Sequence, residues 1–187
     1  MYIEDQTFEK KDYTLHFLEE WEYEKCKFSQ CNFSGSDLSR RRFIDCEFIE
    51  CNLSVARLTE ASIQNVHFLD SKLIGLEFQN CNEFLFGASF ENCNLEFASF
   101  TNMKIKWMNF HNCNLHEANF SGSDLTWAKF DICNLDNAVF QRTNLEKVDF
   151  LTSYGYSIDP ENNRMKGSKF SLEWIPGLLH KYNIIIK

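Results

Sequence analysis

The sequence predicts an all-β solenoid, a chain wound into stacked four-sided coils. Three observations predict it: a strict five-residue period of large apolar residues, a mostly small residue two places before them, and self-similarity at a shift of twenty. Nineteen Phe and eight Cys stand against seven Gly and two Pro in 187 residues. The breakers that punctuate ordinary sandwiches, barrels and bundles are therefore scarce, and a repeating corner must replace them. The length suits one domain.

The period runs through Tyr23, Phe28, Phe33, Leu38, Phe43, Phe48, Leu53, Leu58, Ile63, Phe68, Leu73 and Phe78. It resumes through Leu85, Phe90, Leu95, Phe100, Ile105, Phe110, Leu115, Phe120, Leu125, Phe130, Leu135, Phe140, Leu145 and Phe150, making twenty-six units. A helix repeats every 3.6 residues and a strand every two, so neither alone generates this spacing. The small partners include Cys26, Cys31, Ser36, Cys46, Cys51, Ala56, Ala61, Ala98, Ala118 and Ser123. Large and small together fill a narrow interior, and the remaining three positions, rich in Asn, Ser, Asp, Glu, Lys and Thr, face water.

The shift of twenty sets the coil length. Cys31-Asn32-Phe33 falls on Cys51-Asn52-Leu53 and Ser71-Lys72-Leu73, and Cys93-Asn94-Leu95 falls on Cys113-Asn114-Leu115 and Cys133-Asn134-Leu135. The two series join if residues 79–84 hold a two-residue insertion. One column is then all Phe (28, 48, 68, 90, 110, 130, 150), and opposite it lie Leu38, Leu58, Phe78, Phe100, Phe120 and Phe140. Coils about 4.8 Å apart bond to their neighbours along the whole stack and leave only two ends to be capped.

At the start, the inward sites read Gln6, Lys11 and His16, so residues 1–20 are expected as a degenerate first coil or an irregular acidic cap. The repeat domain extends over 21–170. Ser168-Lys169-Phe170 restores the motif after residues 151–167, which read as a loop containing Gly155, Pro160 and Gly167. Beyond Phe170 the period stops: Pro176–Tyr182 predicts a short helix and Asn183–Lys187 a short β segment, a C-terminal cap over 171–187.

The units C31-N-F-S-G, S36-D-L-S-R, A98-S-F-T-N and A118-N-F-S-G resemble those of the pentapeptide-repeat family over at least residues 21–150. The resemblance implies a right-handed quadrilateral β-helix. The tail Ser171-Leu-Glu-Trp…Gly-Leu-Leu-His-Lys-Tyr resembles the C-terminal caps of the quinolone-resistance (Qnr- and MfpA-like) type. It implies an end-to-end homodimer with Leu178, Leu179, Tyr182, Ile184 and Ile186 as contacts, unless these residues simply cover the last coil of a monomer. It also implies mimicry of DNA toward a type II topoisomerase, DNA gyrase or topoisomerase IV, with protection from quinolones or toxins. The long projecting loops of many Gram-negative members are absent from the pattern.

The charge is −8, which opposes direct nucleic-acid binding because phosphate recognition needs basic surface. Residues 1–24 hold eight acids against two bases, and residues 43–103 nine against two. The latter nine, Asp45, Glu47, Glu50, Glu60, Asp70, Glu77, Glu83, Glu91 and Glu96, are the candidate acidic partner-binding residues. A second candidate surface is aromatic: Trp107 and Trp127 lie twenty apart at an outward position, with Phe86 on the same side one coil earlier. Such a ladder marks a binding site for an unrelated cytosolic protein, or serves only cross-coil stacking.

No catalytic, cofactor or metal site is expected. Cys26, Cys31, Cys46 and Cys51 are spaced too widely for a usual zinc pair and occupy inward packing positions. His111 and His116 fall at outward positions of a convex rod, without the cleft acid–base chemistry requires. No run reaches the roughly 18 apolar residues of a spanning helix, and the charged N-terminus lacks a signal peptide's apolar core. A cytoplasmic location with reduced thiols is therefore expected.

Overall fold

The structure, a computed structural model, describes residues 2–15 and 18–186. The chain is a parallel β-solenoid whose four sides take consecutive pentads. The second side forms a nine-stranded sheet from Thr7–Glu9, Lys27–Ser29, Glu47–Ile49, Val66–Leu69, Ala88–Glu91, Asn109–His111, Lys129–Asp131, Asp149–Phe150 and Lys169–Phe170. The first side forms a four-stranded sheet from Tyr2–Glu4, Glu22–Glu24, Arg42–Ile44 and Ser62–Gln64. The third and fourth sides form no extended strands among the described residues. They stack through single parallel bridges such as Asn32 to Asn52 and Ser99 to Asn119.

The register confirms the twenty-residue circuit, since Phe28 pairs with Phe48, Phe90 with Phe110 and Phe110 with Phe130. Among the described residues one circuit is longer: Phe68 pairs with Phe90, twenty-two residues on, which fixes the expected insertion. Nine strands at a spacing of about 4.8 Å give a rod roughly 40 Å long.

Each position of the pentad has a physical cause. The large residue points inward and stacks on its equivalent: the Phe rings of the second side, from Phe8 to Phe170, sit 4.8–5.4 Å apart and nearly parallel. They meet the opposite column edge to face, as Phe110 meets Phe120 at 5.9 Å and 82°, the arrangement ring quadrupoles favour. The small residue can be polar although buried because it donates to a carbonyl of the preceding coil. Ser123 Oγ donates to Phe100 O at 2.6 Å and Thr143 Oγ1 to Phe120 O at 3.0 Å. Cys93, Cys113 and Cys133 do the same with their thiols toward Phe68, Phe90 and Phe110.

The Asn before the large residue accepts the N–H two residues on, as Asn94 Oδ1 does from Glu96 and Asn114 Oδ1 from His116. This turn chemistry sets up the corner. Corners then place a residue at positive φ, including Val55 (51°), Trp107 (62°) and Ile132 (56°), besides the Asn and Gly that suit it.

Residues 2–15 form a first coil rather than an irregular cap: Tyr2–Glu4 pairs with Glu22–Glu24, Thr7–Glu9 with Lys27–Ser29, and Asp12 bridges Asn32. His16 lies outside the described residues. Residues 151–167 keep the coil spacing at two points, where Tyr154 bridges Asn134 and Arg164 bridges Asn144, while 155–163 form no bridge and run as the expected loop. Gly155 stands where a large residue belongs, so Tyr156 and Ile158 turn inward instead and are buried. The cap takes 3-10 form, at Ile175–Leu178 and His180–Tyr182. It presses against the last coil at Gly177, where a Cβ would meet the Tyr156 carbonyl oxygen at 2.1 Å. The expected β segment at 183–187 does not form: Asn183 turns at φ 49°, Ile184–Ile186 pair with no strand, and Lys187 lies outside the described residues.

Candidate interaction surfaces

The nine candidate carboxylates do not share one face. Asp45 and Glu83 lie on the first side, Glu60 and Glu77 on the fourth and Glu96 on the third. Glu47, Glu50, Asp70 and Glu91 gather on the second side across three successive coils. Most have a local partner. Lys27 Nζ is 3.7 Å from Glu47, Arg40 Nε 2.9 Å from Glu60, and His67 Nε2 3.8 Å from Glu91. Amides neutralise none of the charge but hold the carboxylates in line: Gln30 donates to Glu50, Asn65 to Asp45 and Asn92 to Asp70.

Counting the whole solenoid to Phe170, the second side carries seven acids against four bases, the third four against two and the fourth seven against three. The first side is balanced at eight and eight. Acidity thus surrounds the rod on three sides and leaves one neutral.

That neutral side holds most of the exposed aromatics, Tyr2, Trp21, Phe84, Trp107 and Trp127, while Phe97 and Tyr154 are exposed on the third side. Trp107 and Trp127 stack with centroids 5.0 Å apart and planes 3° from parallel, 67% and 48% exposed. Lys147 Nζ sits 5.6 Å from the Trp127 ring centroid, closing the stack at one end. The expected third member, Phe86, turns inward instead. It is half-buried, with its ring edge-on to Phe78 at 6.2 Å. Leu85, expected inside, is 63% exposed at φ 57°. The extra two residues shift the pentad by one place here, so the turn carries Phe84 and Leu85 outward.

The bulge also makes concavities that the convex-rod expectation missed. On one flank a recess of about 560 Å³ is lined by Trp21, Arg40, Arg42, Glu60, Phe84 and Leu85, among others, with the Arg42 guanidinium 5.4 Å from the Trp21 ring centroid. On the other flank a recess of about 400 Å³ runs from Leu85 to Trp107. Trp21 was a readable signal: it occupies a small-residue position, two places before Tyr23, where an indole cannot turn inward.

The remaining candidates stay apart from these surfaces. All eight cysteines are buried and unpaired. Burial pushes the Cys46 and Cys81 thiols up to about 12 and Cys93 up to about 11. No group of three His, Cys, Asp or Glu among the described residues is arranged to hold a metal ion. His111 Nδ1 lies 3.0 Å from Asp131 on the second side, and His116 Nε2 lies 3.7 Å from Asp136 on the third. The two imidazoles thus face different sides with different acidic neighbours. Of the five cap residues, Leu178 and Leu179 are half-buried, while Tyr182, Ile184 and Ile186 are exposed beside Leu172 and Ile185. No helix among the described residues is long and apolar enough to cross a membrane.

Among solved structures, the chain is similar to QnrB1, a plasmid-mediated fluoroquinolone resistance protein. Identity is 20%, the TM-score is 0.46, and 98% of this chain and 100% of that one are covered. It is also similar to HetL, a pentapeptide repeat protein involved in heterocyst differentiation regulation from the cyanobacterium Nostoc sp. strain PCC 7120. There identity is 14%, the TM-score 0.37, and coverage 89% and 86%. No curated protein matches the chain. The family model described as pentapeptide repeat region matches residues 22–84 and 77–150, which together with the twenty-residue circuit places the chain in the pentapeptide-repeat family.

Proposed function

We propose that this chain is a non-catalytic rod that binds a type II topoisomerase, DNA gyrase or topoisomerase IV, in place of duplex DNA, and protects it from quinolones or toxins. The observation that carries the reading is the carboxylate patch of the second side, Glu47, Glu50, Asp70 and Glu91 on three successive coils. Its nine-stranded face offers negative charge on three successive coils along the rod. A basic channel shaped for phosphates attracts such a face over long range. The acid excess on the third and fourth sides extends that field around the rod, as the two strands of a duplex do. The cytoplasm is where such a partner is met.

The test is DNA supercoiling by gyrase with and without ciprofloxacin, at low and raised salt. The full chain should change the activity or its drug sensitivity, and raised salt should weaken the effect. A Glu47→Gln, Glu50→Gln, Asp70→Asn, Glu91→Gln variant should need about tenfold more protein for the same effect. No change at any ratio ends the topoisomerase reading. The proposal includes an end-to-end homodimer through Leu178, Leu179, Tyr182, Ile184 and Ile186. Light scattering should then give the full chain twice the mass of a form truncated before Ser171.

A second reading is favoured by a separate observation, the gathering of Trp21, Phe84, Trp107 and Trp127 on the one neutral side. Here the rod is a scaffold for an unrelated cytosolic protein. Aromatic anchors surrounded by weaker contacts are how such surfaces concentrate binding energy.

A further inference from the structure

In strand register, the positions after the first side read Asn65, Gly87, Trp107, Trp127, Lys147 from coil to coil, with the left-handed residue of the second of these coils moved to Leu85. The tryptophan stack is closed at the C-terminal end by Lys147. At the other end Gly87 contributes no side chain, so one face of the Trp107 indole borders the recess of about 400 Å³ that also takes in Leu85, Lys104 and Lys106. The stacking step before Trp107 is thus vacant. The charge there differs from the rest of the rod. From residue 103 onward the first side carries Lys104, Lys106, Lys147, Arg164 and Lys166 against only Asp124 and Glu146. Both acids are already engaged, Asp124 by Lys106 at 3.2 Å and Glu146 by Arg164 at 2.9 Å.

We propose that the open face of Trp107 receives an aromatic side chain of an acidic peptide segment of a partner protein, with Lys104 and, in exchange for its contact with Asp124, Lys106 taking the flanking carboxylates. This rests on the second reading above and names its partner chemistry. The vacant step fits one planar ring at the spacing the solenoid already imposes on its own aromatics. The basic strip attracts an acidic segment, and the three acidic sides repel it, so the segment is steered to this site. A nucleic-acid strand would share the stacking. Its phosphates, however, would run beyond the strip onto acidic surface, against a net charge of −8.

The probe is the blocked peptide Ac-Asp-Glu-Phe-Asp-Glu-NH2, titrated against the full chain and followed through the Trp107 indole N–H resonance. The expected result is a saturable shift of that resonance. Affinity should fall at least fivefold with Phe replaced by Ala in the peptide, or with Lys104→Glu and Lys106→Glu in the protein. Trp107→Asn should abolish the shifts of the neighbouring amides, and Asn suits the left-handed backbone there. Shifts that ignore the Phe→Ala change, or tighter binding of a ten-nucleotide oligothymidylate, would overturn the proposal. Suppose the wild-type chain ignores the peptide, yet a Trp107→Ala, Trp127→Ala variant loses a cellular partner. The peptide chemistry is then wrong and the second reading stands. The topoisomerase reading depends on the second side and is untouched by either result.

Discussion

The second and first sides of this solenoid are built from the same pentads and meet at shared corners, yet they have separated in role. The second side runs unbroken through nine strands, with a Phe ring at every inward step. It passes the two-residue insertion by lengthening one circuit while Phe68 still stacks on Phe90. The first side stops as a sheet at Ser62–Gln64, bulges at Phe84 and Leu85, and carries its indoles outside. A solenoid can place an irregularity at one side provided another side holds the register. The neutral, interrupted side is then free to vary in shape.

The largest expected effect tests the spine. Phe110→Ala removes a ring stacked on two neighbours and edge-on to Phe100 and Phe120. It should cost about 3–5 kcal/mol in urea unfolding. Trp107→Asn on the first side should change stability by no more than about 0.5 kcal/mol, and equal losses would erase the distinction between the sides.

Next comes alkaline pH. Cys46 and Cys81, pushed up to about 12, and Cys93, pushed up to about 11, stay protonated in the fold after the unfolded chain has released its thiol protons near 9. Their folded values are raised, so the stability they contribute is complete below about pH 9 and is lost as pH rises toward 11–12. Unfolding at about pH 10.5 should be easier than at about pH 8 by on the order of 2 kcal/mol per thiol. Substituting Cys46→Ala and Cys93→Ala together should reduce that dependence, leaving the part that Cys81 contributes.

Ser123→Ala tests the buried polar positions. It leaves the Phe100 carbonyl without its side-chain donor and should cost about 1–3 kcal/mol by chemical denaturation. A further substitution acts with the opposite sign. Ile132 is β-branched, half exposed and held at φ 56°. Ile132→Asn should raise stability by about 1 kcal/mol, because Asn tolerates the left-handed corner.

Much of this architecture was legible because a period of five and a shift of twenty leave one consistent winding, and the Phe and Cys columns follow from it. The break was legible in position and size but not in detail. Extending the period backward from Phe90 puts Leu85 inside. Two extra residues instead let the turn form at Phe84–Leu85 and bring Phe86 to the core. The last coil was legible only in part for a similar reason: Gly155 empties the expected site and Tyr156 fills the space from the next position, so the side-chain pattern fails while the backbone circuit persists at Tyr154 and Arg164. The tail's three isoleucines carry strand propensity, but the described residues 184–186 find no adjacent strand to pair with. Of the candidate sites, the paired tryptophans were legible from their spacing. The distribution of carboxylates over four sides was not read until each was assigned to a side, and the concavities exist only because the bulge folds outward.

The circuit through the break is the claim on which both surfaces depend, and engineered cross-links read it directly. Asn92 donates to Asp70 at 2.9 Å and Asn112 to Asn92 at 2.8 Å, so these corner positions stack within disulfide reach of each other. Mild oxidation should close Asp70→Cys with Asn92→Cys, twenty-two apart, as readily as Asn92→Cys with Asn112→Cys, twenty apart. Asn92→Cys with Ile132→Cys, two coils apart, should stay open, and the buried native thiols should not compete. Failure of the first pair to close, or closure of the third at the same rate, would contradict the winding.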